Sequence, residues 1–118
     1  MNNISKGRKG ELLSKSYLVK KGYVILDLNY RNKIGEIDII ALDKKKGILA
    51  FVEVKTRTSK SYGLACEAVG KNKQNKIINC SKIYSNERKY HNYQPRYDII
   101  EVYLGWDTEI NHLENAFY

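Results

Sequence analysis

The sequence predicts an α/β fold, a mixed β-sheet with flanking helices in the order α-β-β-β-α-β-β. Two observations predict it. Residues 5–21 and 72–88 carry apolar side chains at helical spacing. Around them lie runs rich in β-branched and aromatic residues, separated by the breaks "NKIG", "KKKG", "HNYQP" and "WD". Helical and strand-like segments alternate, which calls for helices packed against one sheet.

Taken in order, the first helix runs from about Ser5 to Lys21, with Leu12, Leu13, Tyr17 and Leu18 on its apolar face and Gly22 as its stop. "YVILDLNYR", "EIDIIALD" and "ILAFVEVKTRT" read as three successive strands. Between the second and third, "KKKG" reads as a tight turn with Gly47 free to take positive φ. The polar loop "TSKSYG" and then "LACEAV" lead to a second helix, Asn72 to Arg88. Ile77, Ile78, Cys80, Ile83 and Tyr84 mark its apolar face. "RYDIIEVYLG" and "TEINHLE" supply the last two strands.

A chain of 118 residues, with no repeat or linker, is expected to form one domain over 1–118. Its 42% hydrophobic and 29% charged residues describe a globular rather than a disordered chain. The net charge of +8 points to nucleic acid or an anionic membrane as partner, or to a basic protein with scattered lysines. "MNNISKGRKGE" has no apolar signal core, and no segment approaches the roughly 18 to 20 apolar residues of a spanning helix. A cytoplasmic protein that does not enter membranes is expected. Cys66, Cys80, His91 and His112 lack zinc-ligand spacing, so the cysteines are expected to pack as small hydrophobes.

The third strand poses a question of its own. In "FVEVK" an acid and a base sit two apart in an otherwise apolar run, and so share a face. Pairing Asp43 with Ile48 across the "KKKG" turn sets Asp38 opposite Glu53 and Glu36 opposite Lys55. Opposed side chains have Cβ atoms roughly 4.5 to 5.5 Å apart, and like charges so placed repel unless something is held between them. This register sends Ile37, Ile39, Val52 and Val54 to the other face, giving one apolar and one charged side. Carboxylates without nearby His or Cys select a hard cation such as Mg²⁺, Mn²⁺ or Ca²⁺. Lys55 is placed to orient a water or offset charge on phosphorus. The alternative is a solvated ion-pair ladder.

Asp38, fourteen intervening residues and then Glu53-Val54-Lys55 resemble the D…(D/E)-x-K signature of the PD-(D/E)XK nuclease superfamily. "GRKGE" with Glu11, "GYVILDLNYRNKIGEIDIIALD", "FVEVKTRT", "KNKQNKI" and "RYDIIEVY" together resemble the bacterial YraN family, over nearly the whole chain. The resemblance implies a restriction-endonuclease-like core, similar to that of archaeal Holliday-junction resolvases. It also implies Mg²⁺- or Mn²⁺-dependent hydrolysis of nucleic-acid phosphodiesters, with DNA favoured over RNA. Asp38 and Glu53 are then the metal ligands, with the Val54 carbonyl a further one. Lys55 is the catalytic lysine, and Glu11 a third acid from the first helix. Ile37 stands where the superfamily's name has Pro, a position without chemistry.

Glu36 is either an outer partner of Lys55 or a solvent-facing residue, and Glu11 is also readable as an acid favoured near a helix start. Lys6, Arg8, Lys9, Arg31, Arg57, Lys71, Lys73 and Lys76, with Lys33, bracket the acids in sequence and form the candidate nucleic-acid-binding set. Tyr62 reads as a base-stacking candidate, whereas Tyr17, Tyr97 and Tyr103 read as sheet packing. Trp106 is expected to pack on its hairpin or to anchor a partner. Junction resolution would call for a two-fold homodimer. Two other functions stay open: a nucleic-acid-binding protein that keeps the fold without cutting, and an RNA- or ribosome-associated basic protein.

Overall fold

The computed structural model describes residues 4–58 and 69–118, so Tyr62 and Cys66 lie outside the described residues. The elements are α1 (Lys6–Lys20), β1 (Val24–Arg31), β2 (Glu36–Asp43), β3 (Ile48–Arg57), α2 (Lys71–Arg88), β4 (Gln94–Tyr103) and β5 (Glu109–Phe117). This is the expected order. The sheet runs β1-β2-β3-β4-β5, antiparallel throughout except that β4 lies parallel to β3. A parallel neighbour needs a long crossover, and α2 lies within it. The result is an α/β domain of restriction-endonuclease-like layout. Among the described residues no helix is long and apolar enough to cross a membrane.

Each helix covers one face of the sheet. α1 starts where Ser5 Oγ accepts the Arg8 N–H at 3.2 Å. It turns Gly10, Ser14 and Leu18 inward. Gly10 is seated so closely on β3 that a methyl group there would collide with the Thr56 side chain. Leu18 joins Ile39, Ala41, Ala50, Val52, Ile100 and Val102 in one apolar cluster. α2 buries Ile77, Cys80 and Tyr84 against Ile40, Leu42, Leu49, Phe51, Tyr97 and Ile99 on the other face. Burial of each large apolar side chain contributes roughly 1.5–3 kcal/mol. Cys80 packs as the small hydrophobe expected, and Gly47 takes its positive φ of 66° in the turn.

Three expectations are corrected. The sheet does not have one apolar and one charged side, because helices flank both faces and the central strands are apolar on both. Ile37 does not share a face with Ile39; it packs on the α2 side with its β1 neighbour Tyr30. The cause lies opposite, where Asn29 at φ 53° breaks the alternation between Leu28 on the α1 side and Tyr30 on the α2 side. Trp106 does not pack on its hairpin and is 104% exposed.

A buried polar network ties β4 and β5 to α1. Arg96 grips Asp98 with two hydrogen bonds, at 2.9 and 2.8 Å, and also donates to the Tyr23 hydroxyl. His112 Nε2 lies 2.8 Å from Asp98, its Nδ1 lies 3.2 Å from the Tyr17 hydroxyl, and the Asn115 N–H donates to Asp98 at 3.0 Å. Burial alone would raise the Asp98 carboxyl, but His112, Arg96 and the Asn115 amide together hold it below the ordinary range.

Candidate functional site

The β2–β3 ladder runs from Asp43↔Ile48 to Ile39↔Val52, the expected register. One step further stand Asp38 and Glu53. There the Asp38 carboxylate, in place of a backbone oxygen, accepts the Val54 N–H at 2.8 Å. Glu53 shares a face with Phe51, is 6% exposed, and holds Oε1 3.2 Å from Lys73 Nζ at the start of α2. Lys55 follows one pleat later on the same face.

The electrostatics bind the four side chains into one group. Burial pushes the Asp38 carboxyl up to about 7, and the hydrogen bond and charge of Glu53 push the same way, against the Val54 N–H and Lys73. Burial lowers Lys55, and the neighbouring Lys73 ammonium lowers it further, against Glu53 and Asp38. Lys73 is lowered by burial but raised overall by Glu53 and Asp38. Glu53 beside Asp38 disfavours the charged form of that carboxyl, and a cation at the same spot would relieve the repulsion.

That donor set suits a hard divalent ion. It offers carboxylate oxygens and no His or Cys, and it already attracts the Lys73 ammonium. Among the described residues no group of three or more His, Cys, Asp or Glu converges, so Asp38 and Glu53 are the acids these residues provide.

The other expected residues divide. Glu11 reaches the same end of the sheet from the α1 face, and its ion-pair partner among the described residues is Arg8, at 3.7 Å. It does not join the Asp38 group there. Glu36 does not face Lys55. Backbone pairing of β2 with β3 ends at Ile39, and Glu36 instead meets Arg31 at 2.8 Å in solvent. Arg57 is held by Glu101, Nε to Oε2 at 3.2 Å, with Asn111 on the other carboxylate oxygen. Glu101 is 3% exposed and faces Lys55 across the parallel pair. It was not singled out in the sequence, although an acid inside "DIIEVY" is the same signal that exposed Glu53.

Topology gathers the basic set at one end. The α1 start (Lys6, Arg8, Lys9), the β1–β2 turn (Arg31, Lys33) and the α2 start (Lys71, Lys73, Lys76) all fall at the C-terminal end of β3. Asn32 fixes that β1–β2 turn. Its Oδ1 accepts the Ile34 N–H at 2.9 Å, and its Nδ2 donates to the Cys80 carbonyl of α2 at 3.3 Å. Between the turn and α2 lies a cavity of about 400 Å³, lined by Ile34, Gly35, Glu36, Asn72, Lys73, Lys76 and Ile77.

Fold and site together define a restriction-endonuclease-like α/β domain with paired acids and two lysines at one sheet end. The chain belongs to the uncharacterised protein family UPF0102, whose family model matches residues 10–102. It is 48% identical over 121 residues to UPF0102 protein TTE1452 of Caldanaerobacter subterraneus subsp. tengcongensis, covering 99% of this chain and 98% of that one. A UPF0102 protein of Clostridioides difficile is 47% identical over 117 residues, covering 99% of this chain and 100% of its own. One of Clostridium perfringens is 46% identical over 118 residues, covering 98% of this chain and 95% of its own.

Proposed function

We propose that this protein is a divalent-metal-dependent nuclease of the PD-(D/E)XK type, acting on nucleic-acid phosphodiesters and on branched DNA in particular, as junction resolvases do. The observation that carries the reading is the meeting of Asp38 and Glu53 beside Lys55 and Lys73. Pure binding of a polyanion would not place facing acids amid the basic residues.

Asp38 and Glu53, with the Val54 carbonyl, would hold Mg²⁺ or Mn²⁺, and the ion supplies Lewis-acid polarisation and a more acidic water. The protein's own groups do the rest. Lys55 orients the attacking water and offsets charge gathering on the phosphoryl oxygens. Lys73 leaves Glu53 for a phosphate oxygen when substrate arrives. The exposed Lys6, Arg8, Lys9, Lys71 and Lys76 draw in the backbone, so binding should weaken steeply with salt.

The test incubates purified protein with branched, single-stranded and duplex DNA in Mn²⁺, Mg²⁺ or EDTA. Metal-dependent nicking that disappears in Asp38→Ala and Lys55→Ala, with binding retained, supports the reading. Cleavage that survives either variant or EDTA overturns it. A second reading, a nucleic-acid-binding protein that does not cut, is favoured by the Lys73–Glu53 ion pair, which gives Glu53 a cation partner without metal. Intact binding with every substrate left whole selects it.

A further inference from the structure

We infer that Trp106, at the tip of the β4–β5 turn, is a stacking platform for an unpaired nucleobase. The inference rests on nucleic acid being the partner, as proposed above, and extends that reading to a contact outside the acid site.

Three observations lead to it. Trp106 is the chain's single tryptophan and is 104% exposed, so it contributes nothing to the core. A large aromatic face left wholly in water is what a stacking contact needs. Its turn is not a remote loop. Leu104 N–H donates to the Arg57 carbonyl at 2.8 Å, and the parallel register sets Lys55 beside Glu101 and Arg57 beside Tyr103. The turn therefore leaves the sheet just past the end of β3. That is the same end on which Gly10 seats the basic start of α1 against Thr56 and Lys73 meets Glu53.

Charge selects the occupant. A strand drawn to Arg8, Lys9 and Lys71 would pass an aromatic ring at the edge of the basic cluster. Asp107, next to Trp106, repels phosphate, which suits contact with a base face rather than with the backbone. In duplex DNA the base faces are covered by their neighbours, so the contact requires an unpaired base in a single strand or at a branch.

The single tryptophan is also the probe. Full-length protein in EDTA is titrated with a labelled single-stranded oligonucleotide and with a blunt duplex of equal length. Binding is followed by label anisotropy and by tryptophan emission. Emission should be quenched by the single strand and far less by the duplex. Trp106→Ala should weaken single-strand binding by about fivefold or more, while Trp106→Phe stays within about threefold of the parent. Both changes lie in solvent, and unchanged melting of the variants verifies the fold. Anisotropy that reports binding while emission and Trp106→Ala affinity stay unchanged overturns the stacking contact and leaves the nuclease reading standing. No anisotropy change with any DNA removes the nucleic-acid partner itself, and this contact with it. Emission that shifts with protein concentration alone, alongside a doubled mass, assigns Trp106 to a second copy of the chain and overturns the inference.

Discussion

The Asp38 carboxylate on β2 accepts the Val54 N–H on β3 at 2.8 Å, so one acid both faces Glu53 and closes the end of the strand pair. Its two jobs separate by substitution. Asp38→Asn keeps an oxygen for Val54 and removes one of two facing acids. We expect metal-dependent cleavage to vanish and the metal-free protein to gain about 1 kcal/mol at pH 8, since relief of like-charge repulsion acts on the folded state. Asp38→Ala gains the same relief but loses the acceptor for Val54 as well, so it should be less stable than Asp38→Asn by about 1–3 kcal/mol. Thermal melts of both variants at pH 8 distinguish the two.

Lys73 competes for Glu53. Its ammonium is 3.2 Å from a carboxylate that is 6% exposed, while its own side chain is 46% exposed. The pair is therefore worth less than its distance suggests, on the order of 1 kcal/mol. Lys73→Gln should tighten Mn²⁺ binding by about fivefold, the equivalent of losing that pair, and weaken DNA binding at low salt. Calorimetry with Mn²⁺ and anisotropy with DNA measure the two effects. A variant that binds both as the parent does would show that Lys73 only props up Glu53.

The element order, the β2–β3 register and the meeting of Asp38 with Glu53 were legible because each rests on local pattern. Alternation fixes which side chains share a face, and a glycine turn fixes where the hairpin folds back. What was misread depends on distant chain. The hairpin face read as charged is apolar beyond Asp38 and Glu53 because α2, far from it in sequence, packs on Ile40, Leu42, Leu49 and Phe51. The switch at Ile37 follows from the backbone of Asn29 on a neighbouring strand. Of the two readings of Glu36, the ladder partner of Lys55 fails because backbone pairing ends at Ile39, and the solvent-facing one holds, with Arg31 of β1 as its neighbour. Glu101 and Lys73 join the Asp38 and Glu53 strands only through the parallel crossover, which no local pattern specifies.

Gly10 positions α1 by being small. A Cβ there meets Thr56 Oγ1 far inside contact distance, with the Thr56 Cβ and Cγ2 at 3.1 and 3.3 Å. Gly10→Ala should lift the start of α1 from β3 and destabilise by about 1–3 kcal/mol, the range for overpacking, despite alanine's better helix propensity. Thr56→Ala removes the worst of the clash. The double variant should recover at least half of the loss, and a denaturant double-mutant cycle measures that coupling.

Asp98 is the buried charge on which the β4–β5 pair depends, and its side chain is fully buried. Removing it strands Arg96 without its bidentate partner, so Asp98→Ala should cost about 3–5 kcal/mol. The pH dependence has a definite sign. The folded carboxyl lies below its ordinary 3.8, so the folded state binds fewer protons than the unfolded one around that value. Its stabilisation is therefore complete above the unfolded pKa and is lost as pH falls through the folded one. Melting temperature measured downward from pH 5 should drop in the parent below about pH 4, the ordinary carboxylate range. In Asp98→Asn, which already lacks the charge, the same drop should be shallower. If both proteins lost stability in parallel, the acid sensitivity would belong to other carboxylates and not to Asp98.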